Sequence, residues 1–339
     1  MKRNIFDLDY PIIQAPMAGN ILSPEFIANV CNNGMLGFIA SGYLSLEQLE
    51  EQIIRVKQNL INDKAKFGVN LFLDAERIRA QKYSKPIEFI GFEHSIGLNI
   101  DDNEFIVPQS ISKDDYVELL IKHNVPIVSC TFGFLEACSA NKLKNHGIKI
   151  VGNATSIEEY RYCYHNGADA VVLQGAEAGG HQASFLSNEI NQLSAVELLK
   201  QIRELDLDIA IIAAGGVSCL NFRDYLECSA DYVQLGTAFM MTSESNVNET
   251  CKEFIRNISQ TKLTKDITGK WARGTENKLI ELMSAMSYFE FPTQHYMTAK
   301  LREFAKTQNL PEYMSLWASV NVDNYSLISL NELINKLKS

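Results

Sequence analysis

Eight short apolar runs, each followed by an amphipathic stretch, constrain this chain more than any other feature. The runs are Pro11–Ala15, Leu36–Ala40, Lys66–Leu71, Pro126–Cys130, Lys149–Val151, Ala170–Leu173, Ile209–Ala213 and Tyr232–Leu235. Their apolar residues are consecutive, not alternating, as in parallel strands covered on both faces. The segments between them carry helix signals. Ser23-Pro24 is an N-cap followed by proline at the first helical position. Ser45 with Gln48, Ser156 with Glu159 and Ser194 with Glu197 have capping-box spacing. Gly34, Gly147 and Gly167 sit where helices should end. Eight β-then-α units close a (β/α)₈ TIM barrel. An open doubly wound sheet competes, but no Gly-x-Gly-x-x-Gly follows the first run.

The chain of 339 residues exceeds a minimal barrel of roughly 250 in two places. Residues 73–112 form an insertion after the third strand and contain no clear strand pattern. Residues 262–339 read as a mostly helical extension. We therefore expect a barrel over residues 1–261, with the insertion and the C-terminal extension capping its mouth.

Barrels of this kind do their chemistry at the C-terminal ends of the strands, so the residues just past each run are the ones to weigh. The sixth run leads into Gln174-Gly175-Ala176-Glu177-Ala178-Gly179-Gly180-His181. Paired glycines there let the backbone approach a ligand, and His181 brings a side chain that titrates near neutrality. Gly215-Gly216 follows the seventh run and Gly236-Thr237 the eighth. Together these two loops are the common phosphate site of such barrels, where backbone N–H groups and helix dipoles hold an anion. Asn70 and Gln174 offer neutral amides that match the alternating donors and acceptors of a flavin ring. Met17 and Ala18, past the first run, add backbone contacts. One phosphate site and one planar-ring site fit FMN. His94, His123, His146 and His165 read as surface or capping residues, and His295 falls in the cap without an assigned role.

Composition excludes several classes. Lys and Arg total 31 against 41 Asp and Glu, a net charge of −10, which argues against a nucleic-acid footprint. The N-terminus has no apolar signal core and no stretch is long enough to span a bilayer. Seven scattered cysteines with no CxxC spacing suit idle thiols of a reducing compartment, so a cytoplasmic protein without membrane partners is expected. No His, Cys, Asp and Glu grouping has zinc spacing, and no Gly-x-Ser-x-Gly elbow occurs.

The segments Pro11-Ile12-Ile13-Gln14-Ala15-Pro16-Met17-Ala18-Gly19, Phe67-Gly68-Val69-Asn70-Leu71-Phe72, Gln174 to His181, Ala213-Ala214-Gly215-Gly216-Val217, Gln234-Leu235-Gly236-Thr237-Ala238-Phe239 and Thr268-Gly269-Lys270-Trp271-Ala272-Arg273-Gly274 resemble, in order, the nitronate monooxygenase family. The resemblance implies non-covalent FMN and oxidation of small alkyl nitronates by molecular oxygen without a nicotinamide reductant. It allows a homodimer. Carried onto this chain, it implies that Met17, Ala18, Asn70, Gln174, Gly179, Gly180, Gly215, Gly216, Gln234, Gly236 and Thr237 hold FMN. His181 would be the active-site histidine. Relatives usually continue the central motif as His-Arg-Gly, whereas this chain has His181-Gln182-Ala183, which removes a cation from the mouth. Ser218-Cys219-Leu220-Asn221 and Trp317-Ala318-Ser319-Val320 also depart from the family pattern. Two other functions stay open. One is an FMN-dependent enoyl-acyl-carrier-protein reductase using NAD(P)H. The other is a catalytically altered flavoprotein serving as a partner subunit.

Overall fold

The computed structural model describes residues 3–339 except 63, 74–78, 99–102, 259, 287, 321, 323, 324 and 326. All eight expected strands form. They are Ile12–Gln14, Leu36–Ala40, Phe67–Phe72, Ile127–Thr131, Lys149–Ala154, Ala170–Gln174, Ala210–Ala214 and Tyr232–Leu235. They pair in parallel, in chain order, and the first strand closes onto the eighth through Gln14 opposite Leu235. The chain is therefore a closed (β/α)₈ barrel.

Alternate residues of each strand point in and out. Ile13, Leu36, Phe38, Ile127, Val151, Val172, Ile212 and Tyr232 fill the interior, and Phe6 and Leu8 join the same cluster. Phe6 packs against Tyr232 with ring centroids 5.0 Å apart. The outward residues pack against the helices in one large core. The expected helix starts form as read: Ser23 caps Pro24–Asn32, and Ser45 and Ser194 make full capping boxes. Ser156 caps its helix too, but Glu159 does not reach back to it. That carboxylate is spent elsewhere, as described below. Gly34, Gly147 and Gly167 all take positive φ at helix ends.

The insertion departs from the sequence reading. Its residues 74–78 and 99–102 lie outside the described residues, but Gln81–Ser84 and Glu104–Val107 pair as an antiparallel hairpin around the helix Ile87–Ser95. These strands escaped notice because one is largely polar and the other has only three apolar residues, Phe105, Ile106 and Val107, shorter than the buried runs of most barrel strands. The extension also contains strands. Thr261–Thr264 pairs with Ala272–Thr275, which pairs in turn with Gly180–His181 of the barrel loop.

Insertion and extension share a second hydrophobic core. Phe89, Phe92, Phe105 and Val107 of the insertion pack with Ile267, Leu279, Met283, Met297 and Leu301 of the extension. Lys85 and Glu93 form a buried ion pair at 2.7 Å within this lid. The chain then leaves the lid. Its last helix, Leu330–Lys338, buries Leu330, Leu333, Ile334 and Leu337 in the main core, and Lys338 donates to Asn33 beside the first helix.

Candidate active site

The barrel mouth and the lid enclose one cavity of about 630 Å³. That lies within the range of small-molecule and cofactor sites, roughly 300–1,000 Å³. Every residue singled out from the sequence lines it: Met17, Ala18, Asn70, Gln174, Gly179, Gly180, His181, Gly215, Gly216, Gln234, Gly236 and Thr237. The fold brings them together because each sits at or just past the C-terminal end of a barrel strand.

The amides are held firmly. The Asn70 amino group donates to Ser129 Oγ at 2.9 Å and Thr131 Oγ1 at 3.0 Å. Gln174 has a second task beside lining the cavity. Its Nε2 donates to the His181 carbonyl at 3.0 Å, and its Oε1 accepts from the Ala183 N–H at 2.8 Å. It thus staples the two ends of its own loop. The next part of that loop is fixed by Glu159, whose carboxylate accepts the N–H groups of Phe185 and Leu186 as well as the N–H and hydroxyl of Thr155. Four donors on one buried carboxylate explain why it does not complete the capping box.

Two glycines in this region are required by close approach. A Cβ on Gly179 would lie 2.5 Å from the backbone of Ala318 and Ser319. The extension, not empty space, therefore faces this glycine. Gly269 has φ +86, and a Cβ there would lie 2.2 Å from the Phe291 nitrogen. Its turn places Thr268 against the histidine and the Lys270 carbonyl against Thr268. Gly180, with φ +79, has no atom within 4 Å of a notional Cβ.

His181 sits among Phe132, Phe291 and Trp317, with ring centroids 5.9, 6.1 and 5.7 Å away. Desolvation by this aromatic wall, then the charges of Lys270 and Arg302, push its pKa down to about 3. The ring is neutral. Its Nε2 meets Thr268 Oγ1 at 2.9 Å, and Thr268 donates its own proton to the Lys270 carbonyl at 3.2 Å. A hydroxyl has a single proton, so Thr268 accepts from His181. This network assigns the proton to Nε2 and the lone pair to Nδ1.

The sequence reading missed the lid's share of the cavity. His295, Arg302, Thr268, Trp317, Ser319 and Tyr325 all line it. Ser319 donates its backbone N–H to Thr237 Oγ1 at 3.1 Å, and its hydroxyl lies 2.7 Å from that of Tyr325. His295 stacks on Tyr43, with centroids 4.0 Å apart and planes 3° from parallel. Asn153, at the end of the fifth strand, was missed as well. Its Oδ1 is buried without a hydrogen-bond partner among the described residues. The cation expected to be missing after His181 is supplied from elsewhere. Arg302 lines the cavity, and Lys270 lies 4.0 Å from the centroid of the Phe132 ring. Gln182 is buried outside the cavity lining.

A closed parallel barrel with a ligand-sized cavity over its C-terminal strand ends, and a neutral histidine on the wall, defines a TIM-barrel enzyme. A sequence model of the nitronate monooxygenase family matches residues 2–339, and the chain belongs to that family of oxidoreductases. It is 33% identical over 323 residues to a probable nitronate monooxygenase of Staphylococcus aureus strain MSSA476, covering 93% of this chain and 89% of that one. Among solved structures, nitroalkane oxidase from Streptomyces ansochromogenes superposes with a TM-score of 0.84 at 28% identity, covering 98% of this chain and 95% of that one. FabK from Thermotoga maritima shares the fold, with a TM-score of 0.74 at 23% identity over 98% and 94% of the two chains.

Proposed function

We propose that this chain is an FMN-dependent nitronate monooxygenase that oxidises small alkyl nitronates with molecular oxygen. The observation that carries the reading is the meeting, in one cavity, of the strand-end glycine loops with a neutral histidine whose free lone pair is fixed in place. The residues present fit FMN. Asn153 offers an unmatched acceptor that a ring N–H would satisfy, and Gly180 leaves open space for a cofactor beside the loop. Gly215, Gly216, Gly236 and Thr237 would hold the phosphate through backbone N–H groups and the threonine hydroxyl, with no arginine required. Met17, Ala18, Asn70, Gln174, Gly179 and Gln234 would line the ring and ribityl chain.

Bound FMN would supply the one-electron and oxygen chemistry. The protein's own share is binding, orientation and proton handling. His181 would take the α-proton of a neutral nitroalkane at Nδ1. Its low pKa keeps that lone pair available at neutral pH. Phe132, Phe291 and Trp317 would exclude water from the reacting carbon. Seven unpaired cysteines support a reducing, cytoplasmic setting.

Oxygen uptake by the FMN-loaded protein tests the reading. Propionate 3-nitronate or the nitronate of 2-nitropropane should drive uptake in the absence of nicotinamide. Rapid anaerobic bleaching of the flavin by NADH or NADPH, followed by reduction of a crotonyl thioester, would instead identify an enoyl reductase. Full FMN content with no uptake on any nitronate would identify a binding subunit.

A further inference from the structure

His295 belongs to a five-residue helix, Thr293–Met297, and Arg302 to the next one, Ala299–Thr307. Arg302 Nη2 lies 2.8 Å from the His295 carbonyl and 3.2 Å from His295 Nδ1. Arg302 Nε donates to Thr298 Oγ1 at 3.2 Å. A guanidinium can only donate. His295 Nδ1 is therefore an acceptor, and the proton of the neutral ring sits on Nε2. Among the described residues nothing bonds that Nε2, and the residue lines the cavity. Tyr43 on one face and the edge of Tyr296 hold the ring in place.

The cavity thus has two neutral histidines set to opposite polarity. Thr268 leaves His181 with a free lone pair, and Arg302 leaves His295 with a free N–H. Phe291 touches both rings, at centroid distances of 6.1 and 6.4 Å. Among the described residues Arg302 also has no carboxylate within 4.0 Å, so its charge is not cancelled by an ion pair. A cation partly removed from water without a counter-ion favours an anionic ligand beside it.

Resting on the nitronate reading above, we infer that His295 is a second substrate-contacting histidine, donating its Nε2–H to an oxygen of the anionic nitronate, and that Arg302 is the positioning residue that sets this polarity. Arg302 adds its charge to the same anion. This pair takes the place of the cation that the central motif lacks after His181. Half-buried Arg302 and buried His295 together select the nitronate over the neutral nitroalkane.

The test uses the FMN-loaded, ¹⁵N-histidine-labelled protein. Imidazole ¹⁵N spectra should show both His181 and His295 as neutral Nε2–H tautomers. Methacrylate, a planar carboxylate isosteric with the nitronate of 2-nitropropane, should shift the His295 signals in the wild type and not in Arg302→Met. His295→Phe keeps a ring to stack on Tyr43 and removes the donor. It should retain FMN and raise KM for the nitronate about 10- to 100-fold, the worth of a hydrogen bond to a charged group. His295→Gln, which restores a donor, should recover part of that loss. An Nδ1–H tautomer at His295, an unmoved His295 signal with saturating methacrylate, or an unchanged KM in His295→Phe would overturn the inference. A wild type that consumes no nitronate while methacrylate still shifts His295 would contradict the oxidation chemistry and leave the anion contact standing.

Discussion

The two halves of the cavity wall are built differently. The barrel half offers backbone: glycines and short amides at the ends of rigid strands, held by neighbouring strands. The lid half offers side chains: His295, Arg302, Thr268 and Trp317, placed by short helices and a small sheet over a separate core. Backbone groups on strands suit a cofactor that must sit in one place through every turnover. Side chains on an appended lid suit the variable part, recognition of the substrate. The loop from Gln174 to His181 joins the halves, since its last two residues form the third strand of the lid sheet.

That division can be broken by substitution. The largest effect is expected at the junction. His181→Asn should keep FMN and lose turnover by about 10²-fold or more, the usual worth of a positioned base. The loss should be steepest with neutral nitroalkanes, and unchanged steady-state turnover would remove His181 from its role. Next comes the lid core. Lys85→Met leaves Glu93 buried without its partner, at a cost of about 3–5 kcal/mol. Hydrogen exchange should show the lid hairpin opening while the barrel strands stay protected; uniform loss of protection would mean that lid and barrel are one cooperative unit. Gly179→Ala forces a Cβ into the Ala318–Ser319 backbone. Thermal unfolding should report a loss of about 1–3 kcal/mol, and full stability would show that the extension can yield there.

The smallest effects concern protons. Thr268→Val removes the acceptor for His181 Nε2–H, so the ring can take either tautomer. A fall in kcat of about tenfold, with KM nearly unchanged, is expected for loss of one orienting hydrogen bond. An equal fall for both substrate types would not distinguish a tautomer effect, so nitroalkane and nitronate are compared, and the nitroalkane should suffer more. In the wild type, His181 has its pKa lowered to about 3, so protonation sets in only far below the ordinary histidine value. The base form persists as pH falls. The pH profile of kcat/KM should therefore show no acid limb near 6.5, where an unperturbed histidine titrates. A limb there would mean that burial, with the charges of Lys270 and Arg302, does not bias the ring as described.

How much of this was legible follows the same division. The eight strands and the glycine loops were readable because each functional residue sits at a fixed distance from a buried apolar run. The lid was not. Gln81–Ser84 and Thr261–Thr264 are four-residue, largely polar strands, so no apolar run marks them. His295 owes its place to stacking on Tyr43, far off in sequence. One signal was available: His295, Thr298 and Arg302 fall at i, i+3 and i+7, a polar stripe along a segment that otherwise buries Met297, Leu301 and Ala305. The capping-box spacing at Ser156 and Glu159 misled for a related reason. Pairing with a distant loop outcompeted the local bond.

The account depends most on the barrel half holding a flavin mononucleotide. The visible absorption spectrum of the purified protein, before and after reconstitution with FMN and removal of excess, tests this directly. Flavin bands corresponding to about one FMN per chain are expected. A protein that remains folded and colourless after reconstitution would contradict the assignment of the strand-end cavity, and with it the proposed chemistry.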